Sequence, residues 1–236
     1  MKRILQLALL DFRIIFRTPL LKSFLLLPLL LFAMVLWFLP SLLDNYPHLK
    51  SYLNVFMIVA VVENTQMFSF INSMVLLEEK ESGISKAYGT LPLRNRDFIL
   101  SRFLIPYLIT TGLNIALLQL QSLFPIDLQD TIAISVLCGL IVPIYAMSVA
   151  SLAKDRMQGM IYVKVFNILV LVPLIAYFIP PVYQALFTLF PTHWIFAAVD
   201  AAVQGTPIKT MVSTGLIFLG GLGFVVALVF KRRYVA

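Results

Sequence analysis

Residues 78–93 read EEKESGISKAYGTLPL and form the longest polar insert in an otherwise apolar chain. This polar insert follows the second of six stretches that are long and apolar enough to cross a membrane. Its charged start and the proline near its end predict a short amphipathic helix at the membrane surface, stopped at Pro92. We interpret the insert as a docking segment through which a soluble partner moves the membrane-spanning helices.

The composition indicates a polytopic membrane protein. Of the 236 residues, 61% are hydrophobic and only 12% are charged, whereas soluble domains are about half apolar and about a quarter charged. The apolar stretches use up the whole length, so we predict a single all-α transmembrane domain over residues 1–236. The single cysteine, Cys138, lies in an apolar run and leaves no disulfide framework.

Apolar runs of about 20 residues predict six transmembrane helices. A basic amphipathic helix over residues 1–18 precedes them and is expected to lie at the membrane interface. Prolines break the segment 180–207, which predicts short re-entrant or interfacial helices between the last two spans. The predicted spans are residues 23–43, 52–77, 102–123, 131–152, 160–179 and 210–230.

The basic residues predict the orientation of these spans. With both termini in the cytoplasm, all but two of the 18 lysines and arginines lie on the inner side, and only Lys50 and Lys209 lie outside. The polar insert is then cytoplasmic. The net charge of +7 is therefore explained by topology and lipid contact, so we expect no nucleic-acid partner. We predict a multi-pass protein of the plasma or inner membrane.

The polar insert resembles the E-x-E-x-G…(T/S)-P-L signature of type-2 permeases of ATP-binding-cassette exporters. Leu91 stands where that family usually has Thr or Ser, and Ile84 stands where Thr is common. In that family the segment after the second span is the coupling helix that docks on the ATPase, and the six-span layout agrees over nearly the whole chain. The matching residues are Glu79, Glu81, Gly83, Pro92 and Leu93.

The resemblance implies that this chain is the transmembrane subunit of an ATP-driven exporter. The chain has no Walker A motif, so a separate ATPase subunit would hold ATP and Mg, and we expect no catalytic residue and no cofactor here. Two copies, or this chain and a related permease, would enclose the pathway. The apolar spans favour a hydrophobic or amphipathic cargo such as a lipid or a drug. The implied coupling residues are Glu79, Glu81, Gly83, Tyr88 and Pro92.

Polar residues inside the predicted spans are candidates for the transport pathway or a dimer seam. An ionisable group there costs about 2.5–3.5 kcal/mol on insertion scales, so it is expected to face the interior, a cavity or a partner chain. The alternative is that these side chains are hydrogen-bonded packing residues that join the spans. The candidates are Glu63, Asn64 and Gln66 in the second span and Asn114 and Gln119 in the third.

Other functions stay open at this point. An ion-coupled secondary carrier would use Glu63 as its coupling site, although such carriers usually contain internal repeats and the two halves of this chain show no similarity. An intramembrane glutamate protease would need an E-E-x-x-x-R motif, but Gly83 stands where the arginine belongs. His48 and His193 have no second ligand at helical spacing, so we expect no metal site.

Overall fold

A computed structural model of the chain describes residues 26–85 and 95–234. The predicted interfacial helix, residues 1–18, lies outside these ranges, as do residues 86–94 of the polar insert. Throughout the described part the chain is helical and contains no strand. Six of its helices are long and apolar enough to cross a membrane. The predicted all-helical fold with six candidate spans is thus confirmed.

We number the helices in chain order. The fourth candidate span consists of two helices, α4 and α5, and the fifth consists of α6 followed by a 3-10 turn, Val172–Phe178. The helices are α1 (Leu27–Asn45), α2 (Leu53–Glu81), α3 (Asn95–Leu120), α4 (Leu128–Gly139), α5 (Ile141–Leu152), α6 (Arg156–Leu171), α7 (Pro181–Gln184), α8 (His193–Val203) and α9 (Lys209–Tyr234).

The middle of α1 is a π-helical turn over Met34–Phe38. It comes just before Pro40, which has no amide hydrogen and whose ring crowds the carbonyl of Leu36 four residues earlier. A π turn widens the helix at this point and relieves that crowding. The apolar helix therefore continues to Asn45 despite the proline.

α2 is the central helix and packs against α1, α3, α5, α6 and α8. Its buried surface includes polar side chains as well as apolar ones. The hydroxyls of Ser69 and Ser73 donate to the backbone carbonyls four residues earlier, at 2.8 and 2.7 Å. Because these hydroxyls are satisfied within α2 itself, a helix with many polar residues packs at the centre of an apolar bundle.

The length of α2 defines two ends of the bundle. Its 29 residues form a rod of about 42 Å, with Asn54 near one tip and Glu81 at the other. We call these the Asn54 end and the Glu81 end. The sequence predicted that the second span stops at residue 77, but the helix continues for another turn to Glu81. The start of the polar insert therefore belongs to α2 and does not begin a separate helix.

The fourth span, predicted as one helix over 131–152, is interrupted at Leu140. Pro143 is the third residue of α5 and has no amide hydrogen to donate to the carbonyl of Gly139. The missing hydrogen bond falls at the junction between α4 and α5. The proline thus explains why two helices replace the single predicted one.

The fifth span begins at Arg156, four residues earlier than the predicted start at 160. Asp155 caps the helix, because one of its carboxylate oxygens accepts a hydrogen bond from the backbone N–H of Gln158 at 2.8 Å. The polar turn before this span is correspondingly short.

Between the fifth and sixth spans the chain forms α7, a 3-10 turn at Ala185–Leu189, and α8. Pro191 separates the 3-10 turn from α8. α8 packs against α2, α4 and α9, so this segment is an integral part of the bundle. Its insertion into a membrane stays a prediction.

Candidate coupling site and polar interior

Glu79 lies inside the protein at the Glu81 end of α2. Its side chain is 3% exposed, and that of Arg102, on α3, is 4% exposed. Arg102 donates from Nη1 to Glu79 Oε1 at 2.5 Å, and the Tyr234 hydroxyl donates to Glu79 Oε2 at 2.9 Å. The Arg102 guanidinium also lies 5.6 Å from the centre of the Phe98 ring. One carboxylate therefore joins α2 to both α3 and α9.

Lys80 reaches the end of α5. Its Nζ donates to the backbone carbonyls of Ala150 and Ala153, at 3.0 and 2.7 Å. The last carbonyls of a helix have no partner within the helix and carry partial negative charge. The Lys80 ammonium group gives these carbonyls hydrogen-bond donors and offsets their partial negative charge. It therefore ties the last turn of α2 to the last turn of α5.

Glu81 binds the start of α6. It accepts hydrogen bonds from the backbone N–H and from Nε of Arg156, each at 2.6 Å. Glu78 lies farther from the same guanidinium, with Oε2 3.8 Å from Nη1 of Arg156. These groups are partly solvent-exposed, so each ion pair contributes less than a buried one would. We refer to Glu78–Glu81 with Arg102, Arg156 and Tyr234 as the polar cluster.

Two glycines are required at this end of the bundle. Gly83 has a φ of +75° and ends α2 in the left-handed conformation that favours glycine. A Cβ at Gly83 would meet no atom within 4 Å, so the requirement comes from the backbone alone. At Gly159, in the first turn of α6, a Cβ would lie 2.1 Å from Cδ1 of Leu77. Gly159 therefore lets α6 approach α2 closely.

The structure places the predicted coupling residues in different environments. Glu81 and Gly83 lie at the surface, whereas Glu79 is enclosed and cannot present its carboxylate to a docking protein. Tyr88 and Pro92 lie outside the described residues. The coupling role of all five stays a prediction, and for Glu79 it would act through the helices that it joins.

Sequence reasoning missed several members of the polar cluster. In the sequence, Arg102 and Arg156 indicate only the orientation of the spans, and no pattern singles out Tyr234. Asp155, just before the fifth span, could have indicated where that helix begins, because an aspartate often caps a helix start. A helix that begins at Arg156 brings this residue next to α2.

Near the centre of α2 an amide ladder joins the second and third spans. Asn64 Nδ2 donates to Asn114 Oδ1 at 2.7 Å, and Asn114 Nδ2 donates to Thr65 Oγ1 at 3.0 Å. All three side chains are fully buried. This geometry is what the packing interpretation of Asn64 and Asn114 expects. A role for either residue in a transport pathway stays a prediction.

The other three polar candidates differ from one another. Gln119 Nε2 donates to Thr131 Oγ1 at 2.7 Å and so joins α3 to α4. Gln66 is 3% exposed, and its Nε2 has no hydrogen-bond partner in the part of the chain that the structure describes. Glu63 is half-buried, and none of the hydrogen bonds or ion pairs among the described residues involves its carboxylate. Asn64 shares this property in part, because its Oδ1 is also buried without a hydrogen-bond partner among the described residues. Glu63, Gln66 and the Asn64 oxygen thus retain binding capacity.

No metal centre is formed within residues 26–85 and 95–234, since no three His, Cys, Asp or Glu side chains lie close enough to share an ion. The polar groups here act as ion pairs, caps and hydrogen-bonded links between helices.

Six long apolar helices, joined by buried polar contacts, define a multi-pass membrane protein. A family model described as "Fluoroquinolones export permease protein Rv2686c-like" matches residues 11–230. The match covers most of the chain, so the chain belongs to this Rv2686c-like family of export permeases. It is a transport subunit rather than a catalytic enzyme, and the expectation of an exporter permease is confirmed at this level. Neither curated proteins nor solved structures gave a match.

Proposed function

We propose that this chain is the transmembrane subunit of an ATP-driven exporter of type-2 architecture that moves drug-like, amphipathic molecules out of the cell. The fluoroquinolone export after which its family is described supports fluoroquinolones as the first substrate class to test. A separate ATPase subunit would hold ATP and Mg. Two copies of the chain, or this chain and a related permease, would enclose the pathway. Both termini and the Glu81 end would face the cytoplasm.

The coupling part of this proposal is supported above all by the polar cluster. Within a single helical turn, Glu79 contacts α3 and α9, Lys80 contacts the end of α5, and Glu81 contacts the start of α6. A protein that docks on the segment after Gly83 would therefore displace several spans together. This is the connection that an exporter needs between its ATPase and its pathway.

ATP would act by changing the relative free energies of two arrangements of the spans. Nucleotide binding closes the ATPase subunits on each other, and the docked segments move with them. A ligand shifts such an equilibrium only by its differential affinity for the two arrangements, so the ATPase must hold the polar insert differently before and after closure. Ile84 is 45% exposed directly after Gly83 and offers an apolar contact for that purpose.

Co-purification and transport test this proposal. We would compare the wild-type chain with Ile84→Ser and Tyr88→Ala, and use Leu128→Ser as the matched control. Leu128 is a 57% exposed apolar residue at the first position of α4, far along the chain from the polar insert. The wild type and Leu128→Ser are expected to retain an ATPase subunit and to accumulate a fluoroquinolone in inverted vesicles when ATP is added.

Ile84→Ser and Tyr88→Ala are expected to lose both the ATPase and the uptake while remaining folded. The proposal is wrong if no ATPase accompanies the wild-type chain, or if uptake proceeds without ATP. Equal loss in the Leu128→Ser control would show that the effect does not come from docking.

An ion-coupled carrier is the second candidate, and the half-buried carboxylate of Glu63, without a partner among the described residues, favours it. In that case drug uptake would follow an imposed ion gradient in the absence of ATP. Glu63→Gln would abolish this uptake, whereas Gln119→Leu, which removes a hydrogen-bonded link, would affect stability rather than ion dependence.

A further inference from the structure

A cavity of about 230 Å³ lies near the Asn54 end of the bundle, away from the polar cluster. It is enclosed by the end of the fifth span, by α7 and α8, and by the start of α9. Its polar lining consists of Tyr177, Gln184, His193, Asp200, Gln204 and Thr206, and its apolar lining consists of Ala176, Ala197, Ala201 and Met211.

The carboxylate of Asp200 is only partly used. Asn54 Nδ2 donates to Asp200 Oδ1 at 2.7 Å, and Gln204 Nε2 donates to the same oxygen at 2.9 Å. None of the hydrogen bonds among the described residues is accepted by Oδ2 of Asp200. One oxygen therefore fixes the side chain, and the second is available to a ligand.

The two glutamines of the lining also have acceptors to offer. Gln184 uses its Nε2 to donate to the carbonyl of Ala176 at 3.0 Å, and Gln204 uses its Nε2 on Asp200. Because each amide nitrogen donates within the protein and neither amide oxygen accepts a hydrogen bond among the described residues, both oxygens remain as acceptors. A carboxylate and two amide oxygens together call for a ligand that donates several hydrogen bonds and carries positive charge.

The charge of the cavity also favours a positively charged ligand. None of the described residues that line it is a lysine or an arginine. Burial lowers the pKa of the His193 imidazole from its ordinary value, because desolvation disfavours the charged form of the ring. Tyr177 adds an aromatic ring, and the alanines with Met211 supply an apolar wall for a small hydrophobic body.

We propose that this cavity binds the protonated primary amine of a small amphipathic molecule, with Asp200 as its counter-ion. The inference goes beyond the proposed transport function, because it concerns the side opposite to the polar insert and requires no ATPase. A soluble amine and the ammonium headgroup of phosphatidylethanolamine share this chemistry, and the experiment separates them.

The test uses fluorescence of the full-length chain in detergent. The chain has two tryptophans, so Trp37→Phe leaves Trp194 as the reporter, and its ring lies 5.4 Å from the ring of His193, which lines the cavity. Benzylamine is expected to change the Trp194 emission saturably at pH 7. Benzyl alcohol, which has the same ring without the charge, is expected to leave it unchanged.

Asp200→Asn, made in the same background, should weaken benzylamine binding about tenfold or more, because a charged hydrogen bond is lost. Asp127→Asn is the matched control, since Asp127 lines a different cavity at this end of the bundle. Ala197→Leu fills the cavity from the same face of α8 while it keeps the Asp200 carboxylate and its amide partners, and it should abolish binding. This second variant keeps the test valid if Asp200→Asn weakens the fold by releasing Asn54.

Nanodiscs identify the source of the amine. Benzylamine binding would be measured with the chain in phosphatidylethanolamine nanodiscs and in phosphatidylcholine nanodiscs. Weaker binding in phosphatidylethanolamine alone would assign the site to the lipid headgroup. Equal binding in both would assign it to a soluble amine. The proposal is overturned if benzyl alcohol binds as well as benzylamine, or if Asp200→Asn and Ala197→Leu both bind benzylamine as the wild type does. Failure here leaves the exporter proposal intact, since that proposal depends on the ATPase.

Discussion

Breaking the Glu79–Arg102 ion pair should destabilise this protein more than breaking any of its exposed pairs. Both side chains are almost fully enclosed, at 3% and 4% exposure. Removing one member of a buried pair takes away the charge and the hydrogen bond that offset the desolvation of the other member, and it costs about 3–5 kcal/mol. We therefore expect Glu79→Gln and Arg102→Met each to lower the free energy of unfolding by an amount in this range.

The double variant provides the sharper prediction. Glu79→Gln with Arg102→Met removes both charges of the pair, and the Tyr234 hydroxyl still lies 3.0 Å from the carbonyl of Leu76. Removing both charges of a buried pair costs less than removing one of them and leaving the other buried. We expect the double variant to be more stable than either single variant, with a coupling energy of about 2 kcal/mol or more.

Free energies of unfolding would be measured by SDS titration in mixed micelles, with circular dichroism as the readout. The control is Glu81→Gln, because the side chains of Glu81 and its partner Arg156 are 29% and 48% exposed. An exposed pair is worth about 0.2–1 kcal/mol. The reasoning fails if Glu79→Gln costs no more than Glu81→Gln, or if the two single effects simply add in the double variant.

Three further predictions use the same titration. Gly83→Ala should cost about 1–2 kcal/mol because the residue has a positive φ, and Gly83→Asn should cost less. Equal costs would show that the backbone conformation is not the cause. Asn114→Leu should cost about 1–3 kcal/mol by leaving Asn64 buried without its acceptor, and adding Asn64→Leu should recover part of that loss. Gly159→Val should cost about 1–3 kcal/mol by overpacking, whereas Gly220→Val, whose Cβ position is open, should be close to neutral.

The number of spans was predictable because each is a long apolar run, and the cost of exposing backbone polar groups to lipid leaves a helix as the only structure for such a run. The ends of the helices were less predictable, since single side chains decide them. Asp155 starts α6 earlier than the apolar pattern predicts, and Pro143 divides the fourth span into two helices.

The polar insert shows where sequence reasoning stopped. Its charged start predicted a helix at the membrane surface, and a surface position holds for Glu81 but not for Glu79. The difference arises because Arg102 and Tyr234 approach the same turn from α3 and α9. Contacts between residues so far apart in the chain depend on how the helices pack, which local patterns do not encode.

α2 also has a mechanical consequence, since it is a stiff rod of about 42 Å whose two tips are each tied to other helices. A tilt of about 10° around its midpoint would move the tips in opposite directions by about 4 Å, given that length. At one tip the movement would act on the polar cluster. At the other it would act on Asn54, whose hydrogen bond to Asp200 would carry the displacement into the wall of the cavity that Asp200 lines. A push applied at the Glu81 end would thus arrive at the Asn54 end with its direction reversed.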